Sequence, residues 1–276
     1  MSTQEVTASV AAGQSRKSVG RWWQMKLSLI GLVLPALLLL LWWLGTSRGF
    51  LDATFFSTPS AVLRTLGNLL FSGVLVSDFW DSLKRILTGA FIGFSAGLLL
   101  GGITGYVRQI ERVLDPTIQA LRAVPAVAWI PFLILTLGID NAPKIALIAI
   151  ALFFITYVNT FSGVRGTDQK LIELAQAYRL PRSLVLRRII MPAALPQVFV
   201  GLRLAAAIGW IAAVFSEILV GNNGLGVLLN DGRSLGRPDQ TIVLMLVLAL
   251  AGKSSDGLIR LIERRVTRWR ATFEGM

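Results

Sequence analysis

The chain contains neither cysteine nor histidine in its 276 residues. Without cysteine it can form no disulfide and no thiolate nucleophile, and without histidine it lacks the usual imidazole acid or base. Metal sites built from these two residues and a histidine proton relay are excluded as well. Acidic residues are also scarce, with 15 Asp and Glu against 27 Lys and Arg. These absences leave few ways to build an enzyme active site.

Charged residues of either sign are few for a chain of this length. They make up 15% of the residues, whereas 54% are hydrophobic and the mean hydropathy is +0.66. Such a composition is suited to lipid rather than water. The net charge of +12 is also typical of nucleic-acid-binding proteins, but here Lys and Arg flank apolar segments, mostly on one side of a membrane. We therefore predict an all-α polytopic membrane protein without a nucleic-acid partner.

Six apolar segments are long enough to cross a bilayer, since about 20 helical residues span roughly 30 Å of hydrocarbon. They cover residues 27–45, 86–107, 114–138, 145–161, 195–220 and 241–261. The excess of Lys and Arg on one side predicts that both termini are cytoplasmic. No convincing cleavage site follows the first segment, so it is predicted as a retained span rather than a removed signal.

The first residues differ from the rest of the chain. Residues 1–20 are polar and lack periodic apolar positions, which predicts a disordered cytoplasmic tail. Residues 21–276 are predicted to form the membrane domain. Near Pro59 the pattern favours a helix that lies flat at the outer surface.

Five glycines recur at a strict spacing of four in the second predicted span: Gly89, Gly93, Gly97, Gly101 and Gly105. Such a stripe lets a second helix approach closely. Helix packing is the preferred interpretation, and a gate or a dimer contact is the alternative.

Ionisable residues inside the predicted spans are candidates for a substrate pathway, because charge in lipid normally faces protein or water. Arg122 and Trp129 lie seven residues apart, on one face of a continuous helix. Arg122 either lines a cavity or pairs with Asp115. Arg203 and Glu217 are about 21 Å apart along a helix, so each needs a partner elsewhere. They form either structural ion pairs or part of the pathway.

A polar, basic segment, residues 165–192, separates the fourth and fifth predicted spans. Thr167 or Asp168 is a candidate N-cap for a helix that Pro181 ends, and a second short helix is predicted near Ser183. A simple connection between spans needs only a handful of residues. The segment therefore predicts contact with a partner protein, and the alternative is a solvated amphipathic loop on the membrane.

This segment resembles the EAA loop of the permease subunits of bacterial ABC importers. The family pattern is E-A-A-x-x-x-G, then nine residues, then I-x-L-P, and it falls here on residues 173–192. Glu173, Ala175, Ile189 and Pro192 agree with it. The positions that depart from it are Leu174, Arg179 and Met191.

The replacement of the motif glycine by Arg179 predicts a changed corner. In the family pattern that glycine permits a turn at positive φ, which is cheap only for glycine. Because Pro181 disfavours helix at Leu180, we predict that the corner has moved one or two residues downstream.

The resemblance covers about residues 55–265 and also includes the stretches 114–125 and 192–203. It looks most like the branch of permeases that serves aliphatic sulfonates and taurine, with nitrate and bicarbonate systems close by. It implies a type I importer fold in the bacterial inner membrane. The partners implied are a second permease copy, two cytoplasmic ATPase subunits that use ATP and Mg, and a periplasmic or extracellular solute-binding protein.

The same resemblance assigns roles to residues of the segment. Glu173 and the apolar Leu171, Leu174 and Tyr178 would form the contact with the ATPase. Ala175 and Arg179 belong to the same coupling motif. The mechanism implied is alternating access, driven by ATP hydrolysis on the partner, so that this chain binds no cofactor of its own.

A partial phosphate-binding pattern at residues 251–254 lacks the required earlier glycine, where Val247 stands, so no ATP site is predicted in this chain.

Two other interpretations differ in the source of energy and in the substrate. A secondary transporter would work without any ATPase. An importer of nitrate, bicarbonate, an aromatic acid or a vitamin precursor would have the same architecture.

Overall fold

The computed structural model describes residues 33–50, 52 and 55–267, and within these ranges all regular structure is helical. The helices, in chain order, are α1 (Val33–Ser47), α2 (Pro59–Phe71), α3 (Val74–Tyr106), α4 (Arg108–Arg122), α5 (Ile130–Leu137), α6 (Asn141–Arg165), α7 (Gln169–Ala177), α8 (Arg182–Val185), α9 (Met191–Val220), α10 (Leu225–Ser234) and α11 (Pro238–Val266). A 3₁₀ turn, Ala126–Trp129, precedes α5, and a π-helical turn, Leu186–Ile190, joins α8 to α9. The predicted tail, residues 1–20, lies outside the described residues.

The described residues fall into two compact units, one up to Leu63 and the other from Arg64 onward. In the first unit, the Trp42 indole Nε1 donates a hydrogen bond to the Ser57 carbonyl at 3.2 Å. Thr58 precedes α2, and its hydroxyl accepts a hydrogen bond from Ala61 N at 3.3 Å. The helix predicted near Pro59 is therefore present, and its orientation in the membrane stays a prediction.

Four helices are long and apolar enough to cross a membrane: α3, α6, the continuous helical stretch Arg182–Val220, and α11. The bent pair formed by α4 and residues 126–137 makes a fifth if it counts as one span. The predicted span 27–45 lies partly outside the described residues, and its described part belongs to α1. The prediction of an all-helical membrane protein is confirmed. The count of six spans and the orientation of the termini stay predictions.

The predicted single span 114–138 is wrong in its geometry. The chain bends by 90° between α4 and the following helical residues. Pro125 adopts an extended conformation, with φ −53° and ψ 134°, and a proline also disfavours helix at the residue before it. Arg122 thus ends one helix and Trp129 lies beyond the bend. They are not two turns apart on one face.

The glycine stripe of α3 packs closely against α6. A Cβ placed on Gly97 would lie 2.8 Å from the Phe153 carbonyl oxygen, and one on Gly101 would lie 2.6 Å from the Tyr157 carbonyl oxygen. The other three glycines of the stripe face α6 in the same way. Backbone therefore packs directly on backbone. The helix-packing interpretation is confirmed, and because the stripe is buried it is no dimer contact.

Contacts between helix ends define two opposite ends of the bundle. At the first, Arg165 at the end of α6 pairs with Glu111 at the start of α4. Gly163 of α6 also lies against Ala194 at the start of α9. We call this the α7 end, since α7 connects α6 to α8 and α9. The α10 end holds the start of α3, the start of α6, the end of α9 and α10.

Candidate functional site

Helix α7 is held by a side-chain cap at its start. The Asp168 carboxylate Oδ1 accepts a hydrogen bond from Lys170 N at 2.9 Å. Of the two predicted cap residues, Asp168 is therefore the cap, and Thr167 is buried beside it at 7% exposure. A helix of only nine residues is marginal by itself in water. The cap supplies one of the acceptors that its first turn needs.

The end of α7 is closed by a left-handed residue. Leu180 N donates to the Ala175 carbonyl and Arg179 N donates to the Gln176 carbonyl, both at 2.9 Å. These two bonds are the Schellman pattern, and Arg179 takes the left-handed position with φ 50°. The prediction that the corner had moved downstream is wrong. Arg179 adopts the glycine conformation itself, because the two backbone bonds offset a strain of about 1 kcal/mol.

Arg179→Gly should relieve this strain. Glycine adopts positive φ without strain, although its larger entropy in the unfolded chain offsets part of the gain. We therefore expect α7 to be more stable by roughly 0.5–1 kcal/mol. Amide hydrogen exchange of α7, followed by mass spectrometry, should slow about two- to fivefold. Arg182→Gly, in the regular helix α8, is the control and should speed exchange there. Unchanged or faster exchange in Arg179→Gly would contradict the assignment of strain.

The surface of α7 combines apolar side chains with one acid. Leu171, Leu174 and Tyr178 are 45%, 55% and 74% exposed, and Glu173 is exposed among them. Ala175 is different, because only 2% of it is exposed. Its side chain packs against the rest of the protein and is not accessible to a partner.

A cleft of about 690 Å³ lies at the α7 end of the bundle. Its walls are the end of α6 and the start of α9, with Ser162 and Gln197 among its polar lining. The Gln197 amide Nε2 also donates to the Asn159 Oδ1 at 3.0 Å, which joins the two helices. The cleft is thus bounded by the two long helices that precede and follow α7 in the chain.

Glu217 lies in a buried polar network at the α10 end. Its carboxylate is fully buried, and its Oε1 accepts hydrogen bonds from Ser82 Oγ at 2.7 Å and Arg85 Nη1 at 2.8 Å. The other oxygen, Oε2, accepts from Gly226 N at 2.8 Å. A carboxylate bonded in this way joins α3 to α9 and α10. It is closed to a substrate in this conformation.

Arg85 extends the same network to α6 and to the loop before α10. Its Nε donates to Asn141 Oδ1 at 2.8 Å, and its Nη1 donates to the Asn223 carbonyl at 3.0 Å. The Asn223 side chain bonds to Arg85 Nη2 and to Asp81. Arg85 is only 4% exposed. The charge is thus surrounded by acceptors, as a buried cation requires.

The loop that completes this network requires glycine at one position. Gly224 has φ 118°, and a Cβ on it would lie 2.5 Å from the Glu217 carboxyl carbon. Its N–H donates to Asp78 Oδ1 at 3.2 Å. The glycine-rich stretch after α9 is therefore a turn shaped around a carboxylate, and the short helix α10 follows it.

Arg203 has its partners on α11. Its Nε lies 2.8 Å from Asp256 Oδ1, and its Nη1 lies 3.9 Å from a Glu263 oxygen. Asp256 also accepts from Arg260 at 3.0 Å. Arg203 and Glu217 thus each have a charged partner on another helix, and neither is a free charge along α9.

Arg122 and Trp129 lie on either side of the 90° bend. Arg122 is exposed and makes no ion pair within residues 55–267. The predicted pair with Asp115 is absent there, and Asp115 Oδ1 accepts a hydrogen bond from the Tyr157 hydroxyl at 3.0 Å. The Trp129 Nε1 is buried, and no described residue accepts a hydrogen bond from it. The bend therefore carries an unpaired cation and an unpaired donor.

Sequence reasoning missed Arg85, Ser82, Asn223 and Asp81. The predicted second span began at Ile86, after the last charge, whereas α3 begins at Val74. Its first turns accept charged residues because those side chains bond to other helices. The sequence signal that could have revealed this network is the pair of charged residues just before the apolar, glycine-rich part of α3.

Comparison with known proteins places the chain in a family. The family described as binding-protein-dependent transport system inner membrane component matches residues 89–268. A Bacillus subtilis protein named putative aliphatic sulfonates transport permease protein SsuC is 36% identical over 245 residues, 89% of each chain. The bicarbonate transport system permease protein CmpB of Synechococcus elongatus is 30% identical over 92% of this chain and 95% of its own.

A solved structure supports the fold. A chain in the crystal structure of an amino acid ABC transporter with histidines superposes with a TM-score of 0.59 at 16% identity, and it covers 72% of this chain and 97% of that one. The family match spans most of the chain and includes the α7 segment and Glu217, although it begins after Arg85. The chain belongs to the binding-protein-dependent transport system inner membrane components, the permease subunits of ABC importers.

Proposed function

We propose that this permease imports a small organic anion of the aliphatic sulfonate or taurine class, and that α7 receives the ATP-driven motion from a cytoplasmic ATPase. As the permease component, the chain leaves ATP hydrolysis to a separate subunit. ATP and Mg then belong to that partner, and the chain binds no cofactor. The observation that carries the coupling role is the capped helix α7, with three apolar side chains exposed outside any span.

Exposure of Leu171, Leu174 and Tyr178 is costly unless a partner covers them. Their helix connects two spans and is anchored by buried Ala175 and by caps at both ends. A rigid, apolar knob with a central acid, Glu173, fits a protein groove better than open water. It therefore favours the ATPase contact over a solvated loop.

The assembly proposed has two copies of this chain, two ATPase subunits below the α7 end and a solute-binding protein at the α10 end. The α7 end is then cytoplasmic, in keeping with its many Lys and Arg residues. Six spans and two cytoplasmic termini complete the proposed topology, in the inner membrane of a bacterium.

Transport in this assembly follows alternating access. The ATPase pair closes on ATP and opens after hydrolysis, and α7 transmits that motion to the cleft between α6 and α9. Energy enters only through contacts that differ between the two states. The ATPase contact at α7 is thus the coupling element of the transporter.

Glu173→Lys tests this contact. The substitution reverses the charge at the centre of the exposed surface without touching Ala175 or the caps. We expect uptake to fall at least about tenfold, as a contact worth roughly 1.4 kcal/mol is lost, while the permease still inserts in the membrane. Uptake and ATPase activity are measured together in proteoliposomes with the ATPase and binding protein.

Gln169→Lys is the matched control, since it adds a positive charge to the exposed first residue of α7, one turn away. It should retain most uptake. Full transport by Glu173→Lys would remove the coupling role from this surface, whereas loss of the inserted protein would show a structural role instead.

Arg122 supports an anionic substrate, because it is the unpaired cation at a break in a membrane-spanning segment. Broken helices often form the substrate sites of transporters, where their free backbone groups and nearby charges contact the ligand. The similarity to a permease named for aliphatic sulfonates favours that anion class. Bicarbonate, nitrate, an aromatic acid or a vitamin precursor are the alternatives for the same architecture.

Arg122→Ala should lower uptake of taurine or an alkanesulfonate about tenfold, with assembly and basal ATPase activity kept, since one charge-assisted hydrogen bond contributes about 1.5–3 kcal/mol. Arg122→Lys keeps the charge and should recover part of the uptake. Normal uptake in Arg122→Ala would exclude the pathway role, and selective uptake of nitrate or bicarbonate would replace the sulfonate assignment.

An ATP-independent secondary transporter is the remaining alternative. Purified permease alone, in proteoliposomes without ATP, should move no substrate. Uptake driven by an ion gradient under those conditions would overturn the proposed mechanism.

A further inference from the structure

We infer that a cleft at the start of α4 binds a zwitterionic sulfonate, a molecule that carries both a sulfonate and an ammonium group, as taurine does. The cleft measures about 340 Å³ and is lined by Arg108, Glu111, Arg112, Asp115 and Pro116. The two arginines hold the sulfonate, and Asp115 holds the ammonium group. This inference rests on the proposed import of a sulfonate and selects one class among the sulfonates.

The polar residues of α4 form one stripe along the helix. They recur at alternating spacings of four and three residues, which is one face of a helix: Arg108, Arg112, Asp115, Gln119 and Arg122. Ile118 is buried next to this stripe, and Asp115 reaches the Tyr157 hydroxyl of α6. Val113, on the opposite side of α4, is 71% exposed and apolar. The stripe therefore borders a polar space beside α6, while the other side of α4 is suited to lipid.

The two carboxylates of the cleft differ in their partners. Glu111 forms an ion pair with Arg165 of α6, so its charge is balanced. Asp115 forms no ion pair within residues 55–267 and accepts hydrogen bonds from the Tyr157 hydroxyl at 3.0 Å and from Gln119 Nε2 at 3.4 Å. Both donors are neutral groups. They orient the carboxylate of Asp115 and leave its negative charge without a cation.

The two arginines of the cleft are unpaired as well. Arg108 and Arg112 are exposed, and in the part of the chain that the structure describes neither forms an ion pair with a carboxylate. They lie one helical turn apart, and Arg112 is about 4.5 Å from Asp115 along the helix axis. Opposite charges thus line one cleft without contact between them.

A zwitterion matches this arrangement because each of its ends meets the opposite charge. Planar guanidinium groups donate two parallel hydrogen bonds to an oxyanion, which suits the sulfonate oxygens. A sulfonate without an amino group would leave Asp115 unpaired beside it. The carboxylate therefore disfavours a simple alkanesulfonate and favours an amino-sulfonate.

The contacts of α4 give the position of the cleft along the transport path. The ion pair between Glu111 and Arg165 places it at the α7 end, which is the cytoplasmic side in the proposed topology. Arg122, at the bend, is ten residues from Arg112, or about 15 Å along α4. The cleft is thus a second site, which receives the substrate after it has passed Arg122.

The test compares taurine with ethanesulfonate, which lacks the amino group, in proteoliposomes that contain the permease, the ATPase and the binding protein. The binding protein is the same throughout, so a changed ratio of the two uptake rates reports on the permease. Asp115→Asn removes the charge but keeps an acceptor for the Tyr157 hydroxyl. We expect taurine uptake to fall at least about tenfold, since a hydrogen bond between charged groups is lost, and ethanesulfonate uptake to stay close to the wild type.

Two variants separate the sulfonate end from charge loss in general. Arg112→Gln should lower the uptake of both substrates by a similar factor, because both carry the sulfonate. Arg265→Gln removes an exposed cation of α11 outside the cleft and should change neither rate. In the wild-type complex of permease and ATPase, taurine should also raise the melting temperature more than ethanesulfonate does.

Equal effects of Asp115→Asn on both substrates, or no effect on either, would overturn the zwitterion site and leave sulfonate import standing. Equal melting shifts with the two ligands would overturn it even if Asp115→Asn failed to fold. If the wild type imported neither sulfonate, the proposed function would fall together with this site.

Discussion

Glu217→Ala should leave almost no folded permease in the membrane. The substitution removes the acceptor of three hydrogen bonds and strands Arg85, which is 4% exposed, without its counter-charge. Breaking a buried ion pair by removing one partner costs about 3–5 kcal/mol. That is a large share of the roughly 5–15 kcal/mol that hold a typical protein folded. The measurements are the yield of monodisperse protein by fluorescence-detected size exclusion and its melting temperature in detergent.

Two further variants separate the network from charge loss in general. Glu217→Ala combined with Arg85→Met removes both charges, and we expect it to recover a substantial part of the stability, because no buried cation is left unpaired. Asp256→Ala removes a carboxylate from the half-buried pair with Arg203, where Glu263 remains 3.9 Å from the guanidinium, and should lower the melting temperature less than Glu217→Ala does. If Glu217→Ala were as stable as the wild type yet failed to transport, Glu217 would belong to the substrate pathway instead.

Gly97→Val should separate α3 from α6. The added Cβ would lie 2.8 Å from both the Phe153 carbonyl oxygen and the Thr156 Cβ, and neither can move without shifting the backbone of α6. Overpacking of this kind costs about 1–3 kcal/mol and sometimes more. We expect a melting temperature several degrees lower and a reduced yield of assembled transporter, both measured in detergent.

Gly102→Val is the matched control, since it lies on the same helix but a Cβ there meets only the Thr160 methyl group, at 4.0 Å. It introduces the same β-branched side chain without the clash. Gly97→Val should therefore melt well below Gly102→Val. Equal melting temperatures would mean that α3 and α6 are not held together by the stripe.

The sequence was most informative where a local pattern has one physical solution. Five glycines at a spacing of four permit close helix contact and little else, and α3 packs on α6 as that pattern requires. Thr167 or Asp168, followed by apolar positions, predicted the start of α7, whereas the helix ends at Ala177, before the stop predicted at Pro181. These features depend on neighbours a few residues away, so they can be read without the fold.

Features that depend on distant residues were not predictable in the same way. Arg85 and Glu217 are 132 residues apart in the chain, and nothing local indicates that they meet. Hydropathy joined residues 114–138 into one span, because composition does not reveal the 90° bend at Pro125. At Arg179 the low preference of arginine for positive φ suggested that the turn lies elsewhere. Two backbone hydrogen bonds nevertheless hold Arg179 in the left-handed conformation.

The network around Arg85 and Glu217 has a consequence for how the subunit can deform. It connects α3, α6, α9 and the turn before α10 by hydrogen bonds. These four elements therefore move as one rigid body at the α10 end. Splaying any two of them apart would break several charged hydrogen bonds at once. Conformational change is therefore expected where no such bonds connect the helices. The 90° bend at Val124 and Pro125, between α4 and α5, is one such place.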